Sequence, residues 1–219
     1  MNLSGFSLAG ILFFLSVSCS SFNKKGKDTG EEVTTKADTF IRDIPQYRTS
    51  PSMMHLKTNI ESLLNISSLE NGFDSLEIRI WYAYALTDKE QLVIIKHTGT
   101  QWAAQINTLT FHYGNNNDSI LSISKQSVDR FPRSGWDSLM LNLKNLDFFI
   151  LPDHKQLQNY HTGTDSDAIT VEFATKNTYR IYTYIQPSRY TTTFKEAVKI
   201  ENIMDLIERE FEFARIRAF

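Results

Sequence analysis

The stretch Ile78-Arg-Ile-Trp-Tyr-Ala-Tyr-Ala-Leu86 constrains the fold more than any other part of the chain. Ile78, Ile80, Tyr82, Tyr84 and Leu86 fall on one parity, and Trp81, Ala83 and Ala85 on the other. A strand that is apolar on both faces has to be covered on both faces, so the pattern predicts a central strand of a sheet.

The remaining elements follow from periodicity and turn chemistry. Met54, Leu56, Ile60, Leu63 and Leu64 predict a helix over 53–65. A polar turn at Thr87–Glu90 leads into a strand at Leu92–His97. Over 101–113 the apolar parity slips. Trp102, Ala104 and Ile106 share one phase and Leu109, Phe111 and Tyr113 the other, which predicts a bulge near Asn107–Thr108. A short strand starts at Ile120. Ser134 with Asp137 resembles a capping box, opening a helix with the stripe Trp136, Leu139, Leu143 and Leu146. Residues 153–166 are a polar loop. Ile169–Phe173 and Tyr179–Ile185 alternate as two strands joined at Lys176-Asn177. Thr193 and Glu196 predict a second capping box before a helix that buries Phe194, Ala197, Val198, Met204, Ile207 and Phe211. The sum is an α+β fold, an antiparallel sheet with packed helices, as a single domain over 51–219.

Residues 19–50 predict a polar tether. Lys24, Lys25, Lys27 and Lys36 are matched by Asp28, Glu31, Glu32 and Asp38, with almost nothing apolar before Phe40. A flexible segment of this length holds a domain on the order of 30 Å from its anchor. The net charge of −2 and pI near 6.2 argue against nucleic acid as a partner. The single cysteine, Cys19, excludes an internal disulfide.

The N-terminus supplies the anchor. The apolar run Leu8–Leu15 is too short to span a bilayer as a helix, which needs about 20 residues. With Leu15-Ser16-Val17-Ser18-Cys19 it resembles a bacterial lipoprotein signal peptide. The resemblance implies removal of residues 1–18 as a signal peptide and acylation of Cys19 by diacylglycerol with palmitate-type chains. Ser20, in place of the Asp that marks inner-membrane retention in such lipoproteins, implies the outer membrane. Each buried CH₂ of such chains adds about 0.8 kcal/mol of membrane affinity.

Residues 76–211 resemble a family of uncharacterised bacterial, often exported, α+β domains. The matching pieces are Glu77-Ile-Arg-Ile-Trp-Tyr82, then Trp136-x-x-Leu139-x-x-x-Leu143-x-x-Leu-Asp-Phe-Phe-x-Leu-Pro152. Gly163-x-Asp165 leading to Val171-Glu172, and Tyr182-x-Tyr-x-Gln-Pro187, complete the set. The family's usual Gly after the Asp is Ser166 here. The resemblance implies antiparallel strands with packed helices and no activity.

Two groups are candidates for chemistry. His154, His161, Asp165 and Asp167 lie in one loop and offer divalent-metal ligands or acid–base groups. Their spacing fits no zinc pattern and falls short of a calcium loop, and the alternative is a set of solvated loop residues. Arg180, Tyr182, Tyr184, Arg189 and Tyr190 form an aromatic–basic group. If its strand face is open, it suits a protein or glycan interface; if a helix covers it, these are core tyrosines. No serine-hydrolase elbow or phosphate-cradling glycine loop occurs, and the sequence calls for no cofactor. The first expectation is therefore a lipid-anchored, non-catalytic binding or accessory module of the cell envelope, meeting the membrane through Cys19 and an envelope protein or glycan through its domain. The alternative is a metal-assisted or acid–base envelope enzyme using the 153–167 loop.

Overall fold

Strand β2 (Leu76–Ala83) lies fourth of seven across the sheet, so the doubly apolar stretch is central. The computed structural model describes residues 39–115, 119–163 and 165–216. The other strands are β1 (Ile41–Asp43), β3 (Lys89–Thr98), β4 (Gln101–Tyr113), β5 (Ile120–Arg130), β6 (Ala168–Thr175) and β7 (Thr178–Ile185). Their order is β1-β7-β6-β2-β3-β4-β5. All pairings are antiparallel except β1 with β7, which makes the sheet mixed. Three α-helices complete the described residues: α1 (Pro51–Leu64), α2 (Trp136–Asn145) and α3 (Lys195–Phe211). The fold is a single mixed α+β domain. Among the described residues no helix is long and apolar enough to cross a membrane.

The two faces of the sheet are covered unequally. On one, Leu139 and Leu143 of α2 and Ile200, Ile203, Met204, Ile207 and Phe211 of α3 pack on Ile78, Ile80, Tyr82, Val93, Ile95, Val171 and Tyr182. On the other, Ile60 and Leu64 of α1, with Ile66, meet Trp81, Leu92, Ile94, Leu109 and Phe111, and Phe40, Ile44, Leu69 and Phe73 pack on Ala174, Tyr179 and Ile181 toward the β1 edge. This asymmetry explains the parity slip in β4. The strand pairs with β3 without interruption from Lys89–Thr110 to Thr98–Gln101, so there is no bulge at Asn107–Thr108. Instead the covered face changes along the strand. Ala104 and Ile106 belong to the α2–α3 core, while Leu109 and Phe111 belong to the α1 cluster. The irregularity lies further on, against β5 at His112/Tyr113.

The stripe of α1 also differs from expectation. Met54 and Leu56 are exposed, and the residues turned inward are Met53, Lys57, Ile60, Glu61 and Leu64. Neither expected capping box forms. Gly135 is the N-cap of α2 and Phe194 that of α3, and neither start has a side-chain cap. The Ser134 amide donates to Glu210 Oε2 (2.8 Å), so α3 holds the start of α2. Val198 is exposed on α3. The Lys176-Asn177 turn joins β6 to β7 as the alternation requires, with Thr175 opposite Thr178.

The end of the expected tether belongs to the domain. Ile41–Asp43 form β1, and the Ile41 amide donates to the Asn177 carbonyl (2.9 Å). Phe40 and Ile44 pack on Leu69, Ala174, Tyr179 and Ile181. Asp43 pairs with Arg180 Nε at 2.6 Å, and Arg42 Nε donates to the Glu70 carbonyl at 2.9 Å. Arg42 and Asp43, at the end of the expected tether, are charges that dock this segment. Residues 1–38, with the expected signal peptide, Cys19 and the rest of the expected tether, lie outside the described residues. If residues 39–50 are part of the folded unit, Phe40→Ala lowers stability by about 2 kcal/mol, measured by urea unfolding. A tether residue would leave the midpoint unchanged.

Candidate functional site

The helix α1 is fastened over the sheet by a buried ion network. Arg79, in the middle of β2, is 1% exposed. Its Nε donates to Glu77 Oε1 (2.8 Å), Nη1 to Glu61 Oε1 (3.3 Å) and Nη2 to the Ser67 carbonyl (2.6 Å). Lys57, one turn before Glu61 on α1, reaches Glu172 Oε1 on β6 at 3.2 Å and Glu70 Oε1 at 3.5 Å. The Tyr179 hydroxyl donates to Glu172 (2.9 Å), and Lys96 pairs with Glu77 (3.1 Å). Burial raises the Glu61 pKa, and the Glu172 charge adds to this, against the opposing pull of Lys57. Burial opposes the charge on Lys57, but Glu172 and Glu61 outweigh it and hold its pKa above the ordinary value. Every cation here has a carboxylate, so the network is structural. A single cut in such a network strands a buried charge, and Arg79→Met costs about 3–5 kcal/mol by calorimetry or urea titration.

Beside the network the sheet face is open. Between the N-terminal half of α1 and strands β2, β3 and β6 lies a cleft of about 200 Å³. Trp81 and Ala83 line it, with Met53, Leu56 and Ile60 on the helix side. Two ionisable side chains at this cleft have no ion partner among the described residues. Arg48 enters from the 3₁₀ turn Gln46–Thr49, its Nη2 donating to Thr170 Oγ1 (3.0 Å) and to Thr183 Oγ1, its Nε to the Tyr47 hydroxyl (3.3 Å). Its neighbours there are all hydroxyls. Glu90 faces the cleft from β3, opposite Ala83, and burial pushes its carboxyl up to about 7 with no cation to pull it back. In register, Glu90 is two strands from Thr170 and offset by two residues, which places the two sites about 12 Å apart. A cationic end, an anionic end and an indole between them suit a ligand with both charges on an apolar frame.

The Glu90 shift has a definite sign for stability. Its folded pKa, about 7, lies above the ordinary 4.5, so the folded state holds this proton more tightly. The stability it contributes is fully present below about pH 4.5 and is lost as pH rises through 7. Glu90→Gln therefore removes this loss and is more stable than the wild type at pH 8 by about 3 kcal/mol, with little difference at pH 4.5. Parallel thermal unfolding at the two pH values checks this.

The aromatic–basic group sorts differently from an open interface. Tyr182 and Tyr184 are fully buried under the helices, with their pKa values raised by burial, and the Tyr182 hydroxyl donates to the Phe148 carbonyl (2.8 Å). Arg180 donates to the carbonyls of Phe149 and Leu151, both at 2.6 Å, fixing the segment after α2. Tyr190 packs tilted against Tyr160, with ring centroids 4.2 Å apart, and donates to the His161 carbonyl. Only Arg189 is exposed, donating to Gln186 Oε1 (2.9 Å). The covered alternative holds, because α3 and the segment after α2 close this face.

Nor does the structure bring the four loop residues together. His154 is buried, with Nδ1 2.8 Å from the Thr183 carbonyl. Burial lowers its pKa against the opposing pull of that carbonyl and of Asp153, which leaves a neutral ring. Asp153 caps the 3₁₀ turn His154–Gln156 and accepts from the Thr183 amide (2.8 Å). His161 and Asp165 are exposed, and Asp167 accepts from the Ala85 amide (2.7 Å). Among the described residues no three His, Cys, Asp or Glu side chains converge to hold a metal. His97 bonds Ser75 and His112 bonds Ser124, each at 2.8 Å, near opposite ends of β4.

The sequence held weak signals of the ion network and of the cleft. A lone arginine inside the β2 stretch, and a glutamate on the inward parity of β3, both break an apolar pattern. No family model matches the chain, and no curated protein or solved structure is similar to it.

Proposed function

We propose that this chain is a lipid-anchored protein of the bacterial cell envelope, held at the outer membrane through Cys19. Its domain is a non-catalytic binding module that takes short peptides with free ends in the cleft beside α1. The N-terminal sequence supports the anchor: a short apolar run ending in Ser18-Cys19, where acylation puts the only thiol to use. One observation carries the binding site. Arg48 and Glu90 face one cleft without ion partners among the described residues, while Lys57, Glu61 and Glu172, which also line it, belong to the network, where every cation is paired. A peptide carboxylate meets Arg48 with the Thr170 and Thr183 hydroxyls, and its amine meets Glu90. Three extended residues span about 10 Å, close to the separation of the two sites. The affinity rises from pH 6 to pH 8, because the ligand's ammonium favours ionised Glu90.

The full-length protein, purified in detergent, is titrated calorimetrically with free-ended tripeptides of small apolar residues such as Ala-Ala-Ala and Ala-Leu-Ala. Arg48→Gln and Glu90→Gln each weaken binding about tenfold, and capping either peptide end does the same. No binding at millimolar peptide overturns the assignment of the cleft. The anchor is tested separately. The protein made in a Gram-negative host takes up labelled palmitate, and Cys19→Ser abolishes the label; an unlabelled wild type overturns the anchor.

A further inference from the structure

Strand β5 ends the sheet. It is 11 residues long, and no described residue pairs with its outer edge. Every side chain from Ser124 to Arg130 is exposed. Native sheets usually blunt such an edge by shortness, proline, bulges or a guarding lysine, since an open edge is a template for another strand. The middle of β5 has neither a proline nor a bulge.

The direction of its free backbone groups follows from its neighbour. The Phe111 amide donates to the Asp88 carbonyl (2.8 Å), so the odd residues of β4 turn their amides and carbonyls toward β3 and the even ones toward β5. Ile106, Thr108 and Thr110 stand opposite Val128, Gln126 and Ser124. The even residues of β5 are thus consumed by β4, and Ile123, Lys125, Ser127 and Asp129 point their N–H and C=O groups outward.

We propose that this edge docks a second copy of the same chain, the two β5 strands pairing antiparallel about a two-fold axis at Ser127. In that register every outward backbone group of Lys125, Ser127 and Asp129 finds a partner. Lys125, which has no ion partner among the described residues, faces the partner's Asp129, and the reverse pair repeats across the axis. Among the described residues the Asp129 side chain accepts only from Gln105 Nε2 (3.1 Å). Ile123, at the rim of the α1 cluster, faces the partner's Phe131, which is 74% exposed in the monomer. The sequence selects this axis. Axes at Lys125 or Asp129 oppose like charges, and axes at Gln126 or Val128 leave Lys125 opposite Ser127 or Phe131. A guarding lysine repels a second copy; Asp129, four residues on, converts that repulsion into a matched pair. The result is one continuous sheet through both copies, with both α1 helices on the same side, and it does not depend on what the cleft binds.

Site-directed crosslinking of the full-length protein in its membrane tests the register. Ser127→Cys brings two thiols together at the axis, with Cα atoms about 5.5 Å apart, within disulfide reach. Ser124→Cys puts its two thiols about 20 Å apart. Copper–phenanthroline oxidation yields a covalent dimer from Ser127→Cys and none above the wild-type background from Ser124→Cys. Adding Lys125→Asp to the Ser127→Cys chain lowers the yield about tenfold, and adding Asp129→Lys as well restores it, because the swapped charges match again. Trypsin resistance checks that each variant is folded. No dimer from Ser127→Cys, equal dimer from Ser124→Cys, or no restoration by the double swap overturns the proposal.

Discussion

The Arg79 guanidinium is what the covered half of the α1 face is built around. It sits in the central strand between Ile78 and Ile80, with the α2–α3 core on the other side of the sheet. Burying a guanidinium costs several kcal/mol unless it is paired and hydrogen-bonded. Here Glu77 from the same strand, Glu61 from α1 and the Ser67 carbonyl do both. Glu172 and Lys57 extend the pairing to β6. The geometry of α1 is thereby set more by ions than by apolar packing. Its inward stripe carries Lys57 and Glu61 between Met53 and Leu64, and its position decides where the cleft lies.

Unequal coverage then explains the rest of the architecture. The face under α2 and α3 is sealed by aliphatic and aromatic packing, down to tyrosines whose hydroxyls find backbone carbonyls. One helix of 14 residues cannot cover seven strands, so the α1 face keeps an open cleft on its β6 side and an open strand on its β5 side. Arg48 and Glu90 lie there at the cleft and the outward amides at the edge, while the sealed face buries the Tyr82 and Tyr184 hydroxyls without a hydrogen-bond partner among the described residues. Where packing is complete, charges are paired; where it is incomplete, they are available.

Much of this was legible in the chain. Apolar pattern and turns located six of the seven strands, and the apolar character of both faces of β2 placed it at the centre. Of β5 the pattern predicts only a short strand at its start, where the strand runs 11 residues. Two elements misled for physical reasons. The slip in β4 looked like an inserted residue because local pattern cannot tell a bulge from a change of covered face. The segment 39–50 looked like tether because it continues a charge-matched stretch with almost nothing apolar before Phe40, and its own partners lie far off in the chain: Asp43 on Arg180, and Arg48 on Thr170. The same limit governed the sites. The 153–167 loop concentrated histidine and aspartate in sequence, yet His154 turns inward to a strand carbonyl while His161 and Asp165 stay in solvent.

By itself the sequence determined the periodic features: the central strand, the three helices, the β6–β7 turn, and, from its one cysteine, that no internal disulfide forms, together with a signal-like N-terminus. These are set by residue type at fixed spacing, and short-range sterics and hydrophobicity translate them directly. Only the tertiary structure decided which tyrosines are core, which charges are paired, and which are left at a cleft or an edge. Those depend on residues far apart in the chain, such as Lys57 with Glu172 or Arg48 with Thr183, and on how much of the sheet a helix of given length can cover.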